Sequence, residues 1–101
     1  LDYWKHVNLH LYDSMDDFFA MHKEKKFAFF SSKGDQYHWD LKYTQDMFLI
    51  FGKESSGLPD QIRYEHYESL YKIPIRSEHI RSLNLANAVS IIVYHGLYQV
   101  R

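Results

Sequence analysis

Met47-Phe-Leu-Ile-Phe51 runs without a polar residue straight into Gly52-Lys-Glu-Ser-Ser-Gly-Leu-Pro59. An apolar run of this length, stopped by glycine, reads as a strand. Its lack of alternation marks a strand covered on both faces, as in a parallel sheet. Two neighbouring runs read the same way. Phe27-Ala-Phe-Phe30 ends in the turn signal Ser31-Ser-Lys-Gly34, and Leu70-Tyr-Lys-Ile73 ends at Pro74. A polar stretch rich in Tyr, His and Asp connects the first of these to Gln45. Further out, Val7-Asn-Leu-His-Leu11 alternates apolar and polar residues with the period of a half-buried strand.

Helical segments lie between the strands. Ser14 followed three positions later by Asp17 resembles a capping box, and Met15, Phe18, Phe19 and His22 follow at helical spacing. Lys23, Lys25 and Lys26 stand where cations offset the dipole at a helix end. Pro59 can open a second, short helix at its first position, with Asp60 in the first turn. A terminal helix begins near Leu83 or Asn84 and runs to the chain end, with Gly96 a weak spot inside it. Its residues are apolar on nearly every side, so cover is expected all round, including a dimer contact. Strand and helix alternate throughout, which makes the class α/β with a mainly parallel sheet flanked by helices.

With 101 residues, 46% of them hydrophobic, the chain suits one domain spanning 1–101 and has no room for two. Cysteine is absent, which removes disulfides and thiolate metal sites and makes a reducing, cytoplasmic setting the default. No apolar run reaches the length of a membrane span. The net charge of −1 does not advertise nucleic-acid binding, so any RNA contact must come from a local patch or a second subunit. The seven histidines are scattered without paired spacing on one helix, so no metal is expected. His66 and His79 read as surface residues. Trp4, Tyr37, Trp39 and Tyr43 can stack on bases, but core or interface positions rank first for them.

Ligands of parallel α/β sheets bind outside the carboxyl ends of the strands. Three loops leave such ends here, after Phe30, after Phe51 and after Ile73, and small and polar residues gather in all three. The third leads through Ile73-Pro-Ile to Arg81-Ser-Leu-Asn-Leu-Ala-Asn-Ala-Val-Ser90, a polar cluster at the doorstep of the terminal helix. Backbone donors at a helix start are free to bind a ligand. The convergence points to one site built from three loops.

The segments Phe51–Pro59 and Ile73–Ser90 resemble the second and third signature motifs of the SPOUT methyltransferases. Within that superfamily the tRNA (cytidine(34)-2′-O)-methyltransferase group is the most similar. Leu1-Asp-Tyr3 and Phe27-Ala-Phe-Phe-Ser-Ser-Lys-Gly34 align with it as well, so the likeness runs the length of the chain. The resemblance implies a SPOUT-type fold with a C-terminal deep trefoil knot, an exception to the usual absence of knots. It implies a homodimer, S-adenosylmethionine as methyl donor, and tRNA as acceptor at the ribose 2′-hydroxyl of the wobble nucleotide. The cofactor site it implies comprises Phe30, Gly52, Ile73 and Ser82, largely through backbone groups. Glu54 and Asn84 are the implied residues near the reacting end, and Arg81 a phosphate contact.

Relatives carry a further N-terminal strand, a helix and an arginine-bearing first motif, so the chain reads as the family domain without its N-terminal part. It also has Tyr94-His-Gly-Leu-Tyr-Gln99 where relatives commonly read Tyr-Glu-Ala and later Arg-Gln.

Each residue has a plainer reading. Gly52 and Gly57 serve ordinary turns in many proteins, Glu54 alone is a solvated carboxylate, and Arg81 can form a salt bridge. Ser82 and Asn84 can cap the helix, which for Asn84 ranks above a catalytic role. The alternatives to a tRNA enzyme are a ribosomal RNA 2′-O-methyltransferase and a non-catalytic dimeric RNA-binding module.

Overall fold

The computed structural model describes residues 14–53, 56–74 and 84–101. Helix α1 spans Met15–Met21, strand β1 Phe27–Phe30 and strand β2 Gln36–Tyr37, which passes into a 3₁₀ turn over His38–Asp40. Strand β3 spans Phe48–Phe51, helix α2 Asp60–Glu65, and a second 3₁₀ turn, Tyr67–Ser69, leads into β4, Leu70–Lys72. Helix α3, Leu85–Val100, closes the chain. The four strands are all parallel, in the order β2-β4-β1-β3. The expected α/β class with a mainly parallel sheet is what the chain adopts. Val7–Leu11, and the 75–83 segment on which a knot would depend, lie outside the described residues.

Residues alternate across β1, and that alternation divides the core. Phe29 points to the face carrying α1 and α2, where it packs with Leu58, Ile62 and Leu70, flanked by Phe19, Phe27 and Ile50. Ala28 and Phe30 point to the face carrying α3, where they meet Leu41, Tyr43 and Ile92. Ala28 and Phe29 are fully buried, and burying a phenylalanine side chain of this kind contributes roughly 1.5–3 kcal/mol. β1 pairs with β4 on one edge and β3 on the other, and both its faces are covered.

Three local readings need correction. β3 was expected to be covered on both faces, yet it pairs only with β1 among the described strands and its four residues are half-buried. Helix α1 starts as expected, with Ser14 Oγ accepting from Asp17 N–H at 3.1 Å, but it ends at Met21 with His22 as its cap. Lys23, Lys25 and Lys26 therefore lie beyond the helix, and Lys25 pairs with Asp46 at 3.5 Å across the adjoining loop. Helix α2 begins at Asp60, with Pro59 as its cap rather than its first residue.

Helix α3 was expected to be covered all round, in part by a dimer contact. Only Ile92 and Gly96 are buried, while Ile91, Val93, Tyr94, Leu97 and Tyr98 are exposed, so the chain itself covers one side and not all. Gly96 is no weak spot. A Cβ there would lie 2.8 Å from the Tyr43 ring, so the glycine lets that ring bed directly on the helix. Tyr43 is thus core, whereas Tyr37 and Trp39 are exposed. His66 is half-buried rather than superficial, its ring stacked 4.5 Å from Phe29. His79 lies outside the described residues.

Candidate functional site

A cavity of about 480 Å³ opens at the carboxyl ends of β1, β3 and β4. That volume falls in the range usual for small-molecule sites, roughly 300–1,000 Å³. The loop after β1 contributes Phe30, Ser31, Ser32 and Lys33, and the loop after β3 contributes Phe51, Gly52 and Lys53. Ser56, Gly57, Leu58 and Arg63 add a wall, Tyr71, Lys72 and Ile73 come from β4 and its exit, and Asn84, Leu85 and Ala88 from the start of α3. The three strand exits singled out in the sequence do converge on one cavity.

The glycines explain how the wall after β3 is made. A Cβ at Gly52 would sit 2.2 Å from the Gly57 carbonyl carbon and 2.3 Å from the Leu58 nitrogen, both backbone atoms that cannot swing away. Gly57 takes φ +69°, a left-handed conformation that costs an L-residue about 1–2 kcal/mol. Gly57 N–H also donates to Lys53 O at 2.9 Å, closing the loop against itself. Gly52 therefore lets the two arms of the loop close on each other at the cavity edge, where any side chain would collide with the backbone of Gly57 and Leu58.

Asn84 caps α3: its Oδ1 accepts from Asn87 N–H at 3.1 Å. This fixes the helix start at the cavity rim. Opposite, Ser31 N–H donates to Tyr71 O at 3.0 Å, and Lys33 N–H donates to Ser31 Oγ at 3.2 Å, so the loop after β1 is anchored to β4.

Of the residues proposed from sequence, Phe30, Gly52, Ile73 and Asn84 line this one cavity. Glu54, Arg81 and Ser82 lie outside the described residues. Sequence reading passed over Lys33, Lys53, Arg63 and Lys72, which give the cavity four cationic linings and, among the described residues, no carboxylate. Lys33 and Lys53 stood inside the quoted motifs, so the signal was present. Lys72 stood in the strand leading to the third loop, and Arg63 lay outside the quoted segments.

Away from the cavity, α3 is tied to the loop after β2 by a polar network. Gln99 Oε1 accepts from Tyr43 N–H at 2.9 Å, while Gln99 Nε2 donates to Leu41 O at 3.0 Å and lies 3.1 Å from His95 Nε2. His38 is buried, with Nδ1 3.3 Å from the Tyr43 hydroxyl and its ring edge-on to His95 at 5.0 Å. Burial, with His95 beside it, lowers the His38 pKa. Burial first, then Tyr71, pushes the Tyr43 hydroxyl up to about 12, so it remains a donor.

Comparison with known proteins bears on this site. The model of the SpoU rRNA Methylase family matches residues 1–94. A curated protein of Bacillus subtilis (strain 168), provisionally named tRNA (cytidine(34)-2′-O)-methyltransferase, is 40% identical over 98% of this chain and 63% of its own length. A solved structure described as giving insights into the 2-OH methylation of C/U34 on tRNA superposes with a TM-score of 0.88 at 35% identity, covering 98% of this chain and 64% of that one. The SpoU methyltransferase AviRb of Streptomyces viridochromogenes, solved in complex with the cofactor AdoMet, gives a TM-score of 0.67 at 28% identity, covering 84% and 32%. The chain spans about three fifths of the length of the curated relatives it matches.

Proposed function

The chain belongs to the SpoU rRNA methylase family, and on that footing we propose that it forms the cofactor-binding part of an S-adenosylmethionine-dependent tRNA 2′-O-methyltransferase. The acceptor is the wobble nucleotide, a cytidine or uridine at position 34, as in the names and descriptions of its relatives. The observation that carries this reading is the cavity at three parallel strand ends, which gathers Phe30, Gly52, Ile73 and Asn84.

The fit to S-adenosylmethionine rests on the size of the space and on the three strand-end loops that line it, with Gly52 at its edge. Backbone groups at Phe30, Gly52 and Ile73, joined by Ser82, would hold the donor. When bound, it supplies an electrophilic methyl group, and no metal is required. The chain's own tasks are to exclude water, to orient the ribose hydroxyl and to provide for loss of its proton. Glu54 and Asn84 are assigned to the reacting end, Glu54 to orient substrate and Asn84 to hold the helix start, and Arg81 to a phosphate.

The exposed apolar residues of α3, among them Ile91, Tyr94, Leu97 and Tyr98, support a homodimer. Among the described residues no helix is long and apolar enough to cross a membrane. A role on tRNA favours the cytoplasm.

The test is transfer of labelled methyl from S-adenosylmethionine into bulk tRNA, with the modified nucleotide mapped by mass spectrometry. Label at nucleotide 34 is expected, and no incorporation into any tRNA overturns the reading. Label in ribosomal RNA would move it to the second acceptor class, which the family description favours.

A further inference from the structure

Two features beside the cavity are not absorbed by cofactor binding. The first is charge: in a chain of net charge −1, Lys33, Lys53 and Lys72 line the cavity with Arg63, and only Arg63 among the four is ion-paired in the described structure, with Asp60. The second is a pair of aromatic rings on the surface. Tyr37 and Trp39 are 38% and 48% exposed, with ring centroids 5.3 Å apart.

Lys72 joins the two. It lines the cavity, it pairs in register with Tyr37 across β4 and β2, and its Nζ lies 5.2 Å from the Tyr37 ring centroid. The 3₁₀ turn explains why Trp39 faces outward. Its neighbour His38 is drawn inward against Tyr43 and His95, which leaves the indole displayed on a turn whose other side is fixed.

We propose that Tyr37 and Trp39 form a stacking shelf for an unpaired RNA base next to the nucleotide whose ribose is presented to the cavity, with Lys33 and Lys72 receiving the phosphate between them. This rests on the RNA-methylating reading and deepens it. Single-stranded RNA is recognised by stacking of splayed bases on aromatic rings, with cations along the backbone path, and the shelf and the rim supply those two elements side by side. A protein partner fits less well, because lysine is depleted from the cores of protein interfaces. The shelf makes Trp39 a positioning residue: it holds the strand so that the neighbouring ribose is presented to the cavity.

The experiment uses the full natural protein and an RNA hairpin with an unpaired loop, with affinity read by fluorescence anisotropy at several salt concentrations. Trp39→Ala should weaken RNA binding by roughly tenfold or more, the size expected for one lost base–aromatic stack. Trp39→Phe should restore most of it, which a merely structural defect would not predict. Lys72→Gln should weaken binding and reduce the slope of log affinity against log salt by about one. Calorimetry with S-adenosylmethionine on Trp39→Ala should match the parent protein.

An RNA affinity indifferent to Trp39 overturns the shelf while leaving the methyltransferase reading intact. A parent protein that binds no RNA at all overturns both. A change in sedimentation of Trp39→Ala without a change in RNA affinity would assign the rings to a subunit contact and also overturn the proposal.

Discussion

On the α1/α2 face of the sheet, rings meet rings: Phe18 lies 5.1 Å from Phe48, Phe19 5.2 Å from Phe27, and Phe29 4.5 Å from His66. On the α3 face an apolar core around Phe30, Leu41 and Ile92 is joined by directional bonds through His38, Tyr43, His95 and Gln99, which fasten the helix. Apolar burial is non-directional and scales with the area removed from water. Hydrogen-bonded helices are held in one place. The cavity is lined by the start of α3, and the polar contacts hold that helix from its other end. The contrast separates what makes this chain stable from what makes its site precise.

Truncating the ring-packed face should have the largest effect on folding. Phe29→Ala removes a fully buried ring and is expected to cost about 3–5 kcal/mol, measured by urea unfolding. A cost below about 1 kcal/mol would erase the contrast. Gly96→Val strikes the other face at its closest approach, the Tyr43 ring, with an expected cost of about 1–3 kcal/mol from overpacking. Unlike Phe29→Ala, it should also lower affinity for S-adenosylmethionine, because α3 is displaced as a unit.

Asn84→Ala removes the cap of α3. It should cost about 1 kcal/mol, with increased amide exchange confined to the first turn of the helix. Exchange spread evenly along α3 would show that the polar network does not anchor the far half.

The smallest effect is one of pH. The His38 pKa is lowered in the fold from 6.5, so the unfolded chain takes up a proton before the folded one does. Stability is therefore complete above the ordinary value and declines as pH falls through 6.5 toward the lowered one. Thermal melts across that window should show the decline in the parent, and His38→Gln should flatten it. An equal decline in both would assign acid sensitivity to other groups.

Much of this architecture was legible in the residues, for physical reasons. β1 and β4 are short runs stopped by Ser31–Gly34 and Pro74, and the cavity forms where those stops converge. Gly52 and Asn84 could be placed because their work is local, a close backbone approach and a cap. β2 was missed because two polar residues, Gln36 and Tyr37, are too few to show a period. The roles of Gly96 and His38 were invisible since both depend on Tyr43, which meets the helix only after the sheet is assembled. Glu54, Arg81 and Ser82 rest on the motif likeness.

Among the described strands β2 pairs only with β4, and β4 is the last of them in the chain although it lies between β1 and β2. On the ribosome, then, this side of the sheet must wait: Gln36 and Tyr37 emerge long before Tyr71 and Lys72, their ladder partners among the described residues. Assembly consists of slotting a late segment into a gap held open by earlier ones, a non-local step that slows folding. Tyr37 and its neighbour Lys72 are thereby joined late in that process, so the rim proposed to meet RNA is completed only once these strands are in place.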